Sequence, residues 1–274
     1  MMELMVAPLF AAIVLIVMHA YLGIHIIARG VIFVDLALAQ VAAMGFTGAT
    51  LMGFEAGSST SYLLSVSATL IGALVLSQSR IRHKYVTQEA LIGVVFVTAS
   101  AATILMAAQA PRGSEHVEEL LTGTLLWVTW GEIWNTVGIY AVVGFLHWLL
   151  RKRFFTISLE PDVAAARGWR LRWWDFVFYG LFGIVVTSSV GIAGVLVVFS
   201  FLVIPAVIAF MFASRPASLL AIAWTVGILA TVLGLVFSFQ ADLPTGPVIV
   251  CVFALSLLVA LIARRLVHNP EAAP

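Results

Sequence analysis

The sequence predicts an all-α integral membrane protein, a polytopic bundle of eight or nine transmembrane helices. Of its 274 residues, 62% are hydrophobic and only 10% are charged, against about 25% charged in soluble globular domains. Mean hydropathy is +1.12. The apolar residues fall into runs close to the ~20 residues that an α-helix needs to cross the hydrocarbon core. These runs lie near 5–28, 31–53, 61–79, 88–108, 132–150, 174–188, 191–213, 218–239 and 246–263. Only Ser188-Ser189-Val190-Gly191 separates the sixth run from the seventh, so one of the two can be a short or re-entrant helix.

The first run has no basic region before it and no A-x-A cleavage pattern, so it reads as a retained span. Lys and Arg in short loops set orientation. With nine spans, an outside N-terminus and a cytoplasmic C-terminus, one face collects Arg29, Arg80, Arg82, Lys84, Arg151, Lys152, Arg153, Arg167, Arg170, Arg172, Arg215, Arg264 and Arg265, and only Arg112 lies opposite. The other face carries Glu3, Glu55, Glu115, Glu118, Glu119 and Asp242. This is an acidic mouth that attracts cations, or simply the complement of the basic face. No linker or repeat divides the chain, which reads as one transmembrane domain, 1–274, with a cytoplasmic segment at about 151–173. A net charge of +1 gives no footprint for nucleic acid, and the single Cys251 excludes an internal disulfide.

Several functions are excluded. There is no G-x-x-x-x-G-K-[ST] phosphate loop, and the only lysines are Lys84 and Lys152, so the chain is not its own ATPase. H-E-x-x-H, G-x-S-x-G and C-x-x-C are missing as well. Transport fits better than catalysis. Asp35 stands inside the second apolar run, where a charge costs roughly 2.5–3.5 kcal/mol on insertion scales, and such a residue marks a substrate or ion pathway by default.

Other positions carry local expectations. Glu160-Pro-Asp-Val-Ala-Ala-Ala-Arg-Gly168 predicts a short cytoplasmic helix, with acids and Pro161 in its first turn and Gly168 at its stop. It suits either a groove in a soluble partner or the lipid headgroups. Gly191, Gly194 and Pro205 predict a kink, either a gate or a packing feature. Glu115, His116 and Glu119 combine carboxylates with an imidazole just outside the membrane, as an entry site for a divalent cation or as a solvated helix start. His19 and His25, six apart, share no face and read as packing histidines. Glu89 and Glu132, each beginning a span, read as capping acids.

The motifs Leu159-Glu-Pro-Asp-Val-Ala-Ala-Ala-Arg-Gly168 with Trp174-Asp175, Val190-Gly-Ile-Ala-Gly-Val-Leu-Val-Val-Phe-Ser-Phe-Leu-Val-Ile-Pro-Ala206, and Asp242-Leu-Pro-Thr-Gly-Pro-Val-Ile-Val250 resemble the permease subunits of bacterial type-3 ABC importers for manganese, zinc and iron. Arg29-Gly-Val-Ile-Phe33 and Gln88-Glu-Ala-Leu-Ile-Gly93 extend the resemblance over nearly the whole chain. The resemblance implies a multi-pass permease of the bacterial inner membrane, working as a homodimer. Cytoplasmic ABC ATPase subunits would use the ATP, and an extracytoplasmic metal-binding protein would deliver the ion. It implies no resident cofactor, a divalent metal ion (zinc or manganese) as the substrate, and a coupling role for Glu160, Asp162, Arg167 and Gly168.

The family usually has an acid and a histidine four residues apart on its second helix. Aligned on Phe33 and Gly45, those positions are Leu36 and Gln40 here, and the acid stands at Asp35. Asp35 and Gln40 are then about 140° apart around a helix. The pathway reading takes Asp35, Gln40 and Met44 as possible ion contacts; the alternative is an interhelical polar pair that fixes packing. Two other readings stay open at this stage: an ABC permease for a metal chelate such as a siderophore or cobalamin, and an ion-coupled secondary transporter using Asp35.

Overall fold

A computed structural model describes residues 2–55, 57–80, 87–109 and 120–267. Among them all regular structure is helical: α1 (Met2–Arg29), α2 (Val34–Leu51), α3 (Ser59–Gln78), α4 (Gln88–Ala107), a 3-10 turn (Leu125–Trp127), α5 (Trp130–Leu159), α6 (Pro161–Ala166), α7 (Leu171–Phe212), α8 (Pro216–Ala241) and α9 (Thr245–Val267). Eight of these helices are long and apolar enough to cross a membrane. The chain is a multi-pass membrane protein.

Helix boundaries follow local chemistry. Ser58 and Thr87 cap α3 and α4 by accepting from Ser61 N and Ala90 N. Thr129 and Glu132 form a reciprocal capping box at the start of α5. Pro161 and Pro216 sit in the first turns of α6 and α8, where a missing N–H costs no hydrogen bond. Gly30 and Gly168 take positive φ, of 67° and 72°, just beyond α1 and α6. Two sequence expectations need adjustment. The fifth span does not end at 150: α5 continues through Arg151-Lys152-Arg153 to Leu159. At 30 residues it is about 45 Å long, well beyond the ~30 Å hydrocarbon core.

The second adjustment concerns 174–188 and 191–213, which form one 42-residue element, α7. Its break falls at Gly194 (φ 76°, ψ 159°), not at Ser188–Gly191, and the backbone stays helical through Gly191 and Pro205. Its contacts with α1 show that the two arms double back. Asp175 pairs with Arg29, Ser189 meets His19, and then Leu202 and Ala206 meet Gly23. The first arm climbs α1 from its C-terminal end and the second returns along it. Eight long helices therefore make nine passes, with arms of about 34 Å and 27 Å.

The reversal requires glycine. A Cβ on Gly194 would lie 2.6 Å from the Thr122 carbonyl carbon, and its φ/ψ region is essentially closed to other residues. Gly123 (φ 75°) meets Ala193 and Gly194 from the other side, and Thr124 N donates to Ile192 O at 3.0 Å. The segment before the 3-10 turn thus satisfies a carbonyl freed at the break. Small residues bring other helices equally close: a Cβ on Gly183 would lie 2.6 Å from Thr69 Cγ2, and one on Gly45 would lie 2.6 Å from Ser65 Cα. Around α7 the core contains fully buried Phe178, Tyr179, Phe182 and Phe201, and α1, α2, α3, α5, α8 and α9 all pack on it.

Gly194→Ala is expected to destabilise the protein by at least about 2–3 kcal/mol, from the strained backbone and the backbone collision. Gly138→Ala, in an open helical position, is expected to be neutral or stabilising by up to ~1 kcal/mol. Thermal unfolding of the two purified variants checks the contrast.

Candidate functional site

The bundle has two chemically different ends. At one end α1 finishes, α5 and α7 flank α6, and Asp175 lies between two arginines. Its Oδ1 accepts from Arg29 Nη1 at 2.8 Å and its Oδ2 from Arg80 Nη1 at 3.1 Å. The Arg29 and Asp175 side chains are both 4% exposed, whereas Arg80 is 27% exposed. Arg29 Nε also donates to Ser158 Oγ (2.9 Å), near the end of α5, and its guanidinium stacks 3.9 Å from the Phe178 ring centre. Ser158 in turn contacts His25 Nδ1 at 3.0 Å. One network therefore holds the ends of α1 and α5, the start of α7 and the chain just after α3. Beside it, α6 presents Glu160, Asp162, Arg167 and Gly168 on an exposed surface, next to a groove of about 1020 Å³.

At the other end, the starts of α3 and α5 and the first arm of α7 enclose a cavity of about 590 Å³. Hydroxyls dominate its polar lining: Ser59, Ser61, Tyr62, Thr136, Thr187 and Ser188, joined by Asn135 and Glu132. Gly191 lies on its wall. The Glu132 carboxylate accepts from Thr129 N and Thr129 Oγ1, so its capping role is realised. Below the cavity is Tyr140, beside Ser188 and Ser189 and within electrostatic reach of Asp35 and Tyr62.

Asp35 is completely buried, and neither carboxylate oxygen has a hydrogen-bond partner among the described residues. Ser61 Oγ is buried and equally unpartnered. Most buried polar groups in this protein are satisfied, as an apolar medium demands: Thr69 Oγ1 meets Thr187 Oγ1 at 3.1 Å, and Ser65 donates to Ala42 O at 2.8 Å. The hydroxyls and the Glu132 carboxylate on the cavity wall are oxygen donors of the kind that suit a hard cation.

The structure divides the residues that sequence reading grouped on α2. Gln40 and Met44 lie with Phe33 and Leu36 on one stripe; Phe33 is 50% exposed, Gln40 is 9% exposed, and Leu36 and Met44 are half-buried. Asp35 faces the opposite, fully packed side. The 140° between Asp35 and Gln40 read from the sequence thus places them on different sides of α2 within one chain. Glu115, His116 and Glu119 lie outside the described residues, and no group of three or more His, Cys, Asp or Glu side chains suited to a metal occurs among the described residues. The expected kink is assigned to Gly194 alone; Pro205 is buried within the second arm and packs by Gly227.

Sequence reading missed four residues that the fold makes prominent. Tyr140 and His147 carried no local signal, and their partners lie far away in the chain: His147 Nδ1 is 3.2 Å from Tyr21 Oη, and its ring centre is 6.4 Å from that of His25. Asp175 and Arg29 stood inside quoted motifs, but their pairing across 146 positions is a tertiary fact. His19 is satisfied, by Leu15 O at 2.8 Å and Ser189 Oγ at 3.2 Å, as expected of a packing histidine.

Doubled-back apolar helices, a cavity with hydroxyls on its wall at one end and a buried ion-pair network beside α6 at the other fit a membrane transport permease. The chain belongs to the ABC 3 transport family, whose model it matches over residues 1–264. It is 26% identical over 246 residues to the manganese transport system membrane protein MntC of Listeria monocytogenes, covering 89% of this chain and 85% of that one. It is also 26% identical over 258 residues to the chelated iron transport system membrane protein YfeD of Yersinia pestis, covering 93% and 84%. In fold it is similar to a chain of PsaBC from Streptococcus pneumoniae, solved in complex with Fab, with a TM-score of 0.79, 21% identity and coverage of 93% and 90%. Membership in this family sets aside the ion-coupled secondary transporter.

Asp175→Asn leaves Arg29 buried without its counter-charge and is expected to cost about 3–5 kcal/mol. Arg80→Gln removes a partly exposed partner and is expected to cost about 1 kcal/mol or less. Unfolding of the purified variants in one detergent checks the order; equal losses would place the two arginines on the same footing.

Proposed function

We propose that this permease imports a divalent transition-metal ion, manganese or zinc, as a homodimer driven by separate ATPase subunits. The observation that carries the reading is the Asp35 carboxylate, which is fully buried within a membrane span and has no hydrogen-bond partner among the described residues. Its desolvation, a cost of several kcal/mol for an isolated charge, is relieved when a cation arrives. Relatives named for manganese and chelated-iron transport support a metal as cargo.

The basic end faces the cytoplasm, by the bias of Lys and Arg toward that side; nine passes then put the N-terminus outside and the C-terminus inside. An extracytoplasmic metal-binding protein delivers the ion to the opposite end, where Glu115, His116 and Glu119 assist entry. The ATPases dock on α6 through Glu160, Asp162, Arg167 and Gly168. Their closure moves α6, and the Arg29–Asp175–Ser158 network passes that motion to α1 and α7, while the Gly194 break lets the two arms of α7 shift separately. The stripe of Gln40 and Met44 faces the second copy across the pore, where the amides and thioethers of the two copies meet, while Asp35 stays on the packed side of α2. A chelated metal is the second reading, favoured by a cavity of about 590 Å³, far larger than a bare ion.

Coexpression with the ATPase is expected to give a copurifying complex that takes up radioactive manganese into vesicles only with ATP. Asp35→Asn is expected to lower initial uptake by about tenfold or more, the worth of one charge-assisted contact. Tyr140→Phe, which removes a buried hydroxyl beside Ser188 and Ser189, is expected to cost about 1 kcal/mol of stability while reducing uptake. Unaltered uptake of every ion in Asp35→Asn removes that residue from the route. Inhibition by excess chelate but not by free ion favours the second reading.

A further inference from the structure

The α8–α9 hairpin carries an apolar groove with no role in the route described above. It has a volume of about 1130 Å³ and follows the two helices from Pro244 and Pro247, at their turn, to Ala263, with Phe212, Leu233, Cys251 and Leu255 along it. From Pro247 to Ala263 it runs about 24 Å, most of the ~30 Å hydrocarbon core. Its lining is almost entirely hydrocarbon; Ser256 and Cys251 are the only side chains with a heteroatom.

The two ends of the groove differ in charge. At the end away from the turn, α8 starts immediately after Arg215, and α9 carries Arg264 and Arg265 directly beyond Ala263. All three arginines are exposed. None makes a salt bridge, hydrogen bond or ring contact among the described residues, unlike Arg151 and Arg153, whose guanidinium groups lie 4.7 Å and 4.6 Å from tryptophan ring centres. An apolar channel of membrane length that ends on free guanidinium groups matches a glycerophospholipid with an anionic headgroup. The acyl chains fill the groove and the phosphate accepts from the arginines.

We propose that the α8–α9 groove is a binding site for an anionic phospholipid, held by Arg215, Arg264 and Arg265 at its charged end. The assignment stands independently of the transported ion. A second copy of the chain is the competing occupant, and Cys251 distinguishes the two, because it lies exposed on the groove wall.

The full-length chain, released from vesicles of equal phosphatidylglycerol and phosphatidylcholine, is examined by native mass spectrometry. Retained phosphatidylglycerol is expected to exceed phosphatidylcholine by at least about fivefold, the factor that one engaged arginine supplies. The R215Q/R264Q/R265Q variant is expected to retain both equally. Ala260→Trp, which fills the groove and leaves every arginine in place, is expected to lose the bound phosphatidylglycerol. Equal retention by the unaltered chain overturns the proposal, as does undiminished preference in either variant. So does an oxidant-induced Cys251–Cys251 disulfide between copies in the membrane, which would put the second copy in the groove.

Discussion

Asp175 sits between Arg29 and Arg80 at the basic end of the bundle, and the connectivity of the whole fold depends on that contact. In a medium without water a lone buried charge is excluded, so an arginine closing one helix and a carboxylate opening another are driven together. That pairing places the end of α1, the chain after α3 and the start of α7 at one level. Ser158 adds the end of α5 to the same cluster. Once α7 begins beside Arg29, its length of 42 residues far exceeds one hydrocarbon core. A reversal is then required for it to remain in the bundle, and Gly194 provides the only backbone conformation of that kind within α7.

The same solvent argument separates structure from function. Hydroxyls that serve packing are paired with each other or with a helix carbonyl, as at Thr69–Thr187 and Thr231–Gly227. Ser61 Oγ and both Asp35 oxygens, by contrast, are buried without a partner among the described residues. The two ends of the molecule thus carry different kinds of polar group. The basic end is closed by the ion pairs of Asp175 with Arg29 and Arg80. The cavity end carries the unpartnered Ser61 Oγ, whereas the unpartnered Asp35 carboxylate stands in the first turn of α2, toward the basic end.

Much of this was legible in the sequence, for reasons that mark its limits. Hydropathy located the spans, because bilayer thickness sets their length, and the Pro161 to Gly168 pattern located α6, because its start and stop signals are local. Asp35 was conspicuous as a charge in an apolar run. Its separation from Gln40 followed from 100° per residue, although only the fold shows which side is packed and which lies on the exposed stripe. The position of the reversal was not legible: Gly191 and Gly194 are alike in sequence, and the choice depends on Gly123, which comes against Gly194 from far away in the chain. Tyr140 and His147 are ordinary residues of an apolar helix until the fold brings Ser188 to one and Tyr21 to the other. Arg29 and Asp175 lay in separate motifs with nothing local to join them.

The α2 helix unites these points, with a packed carboxylate on one side and a stripe bearing an amide and a thioether on the other. In the import proposed above, one α2 would offer a cation only part of a coordination shell, and a second copy would be needed to complete it. Anomalous scattering at the manganese edge, from crystals of the permease dimer with its ATPases soaked in manganese, tests this most directly. A manganese peak is expected within coordination distance of the Asp35 carboxylate. A peak elsewhere along the pore, with Asp35 still unliganded and buried, would contradict it.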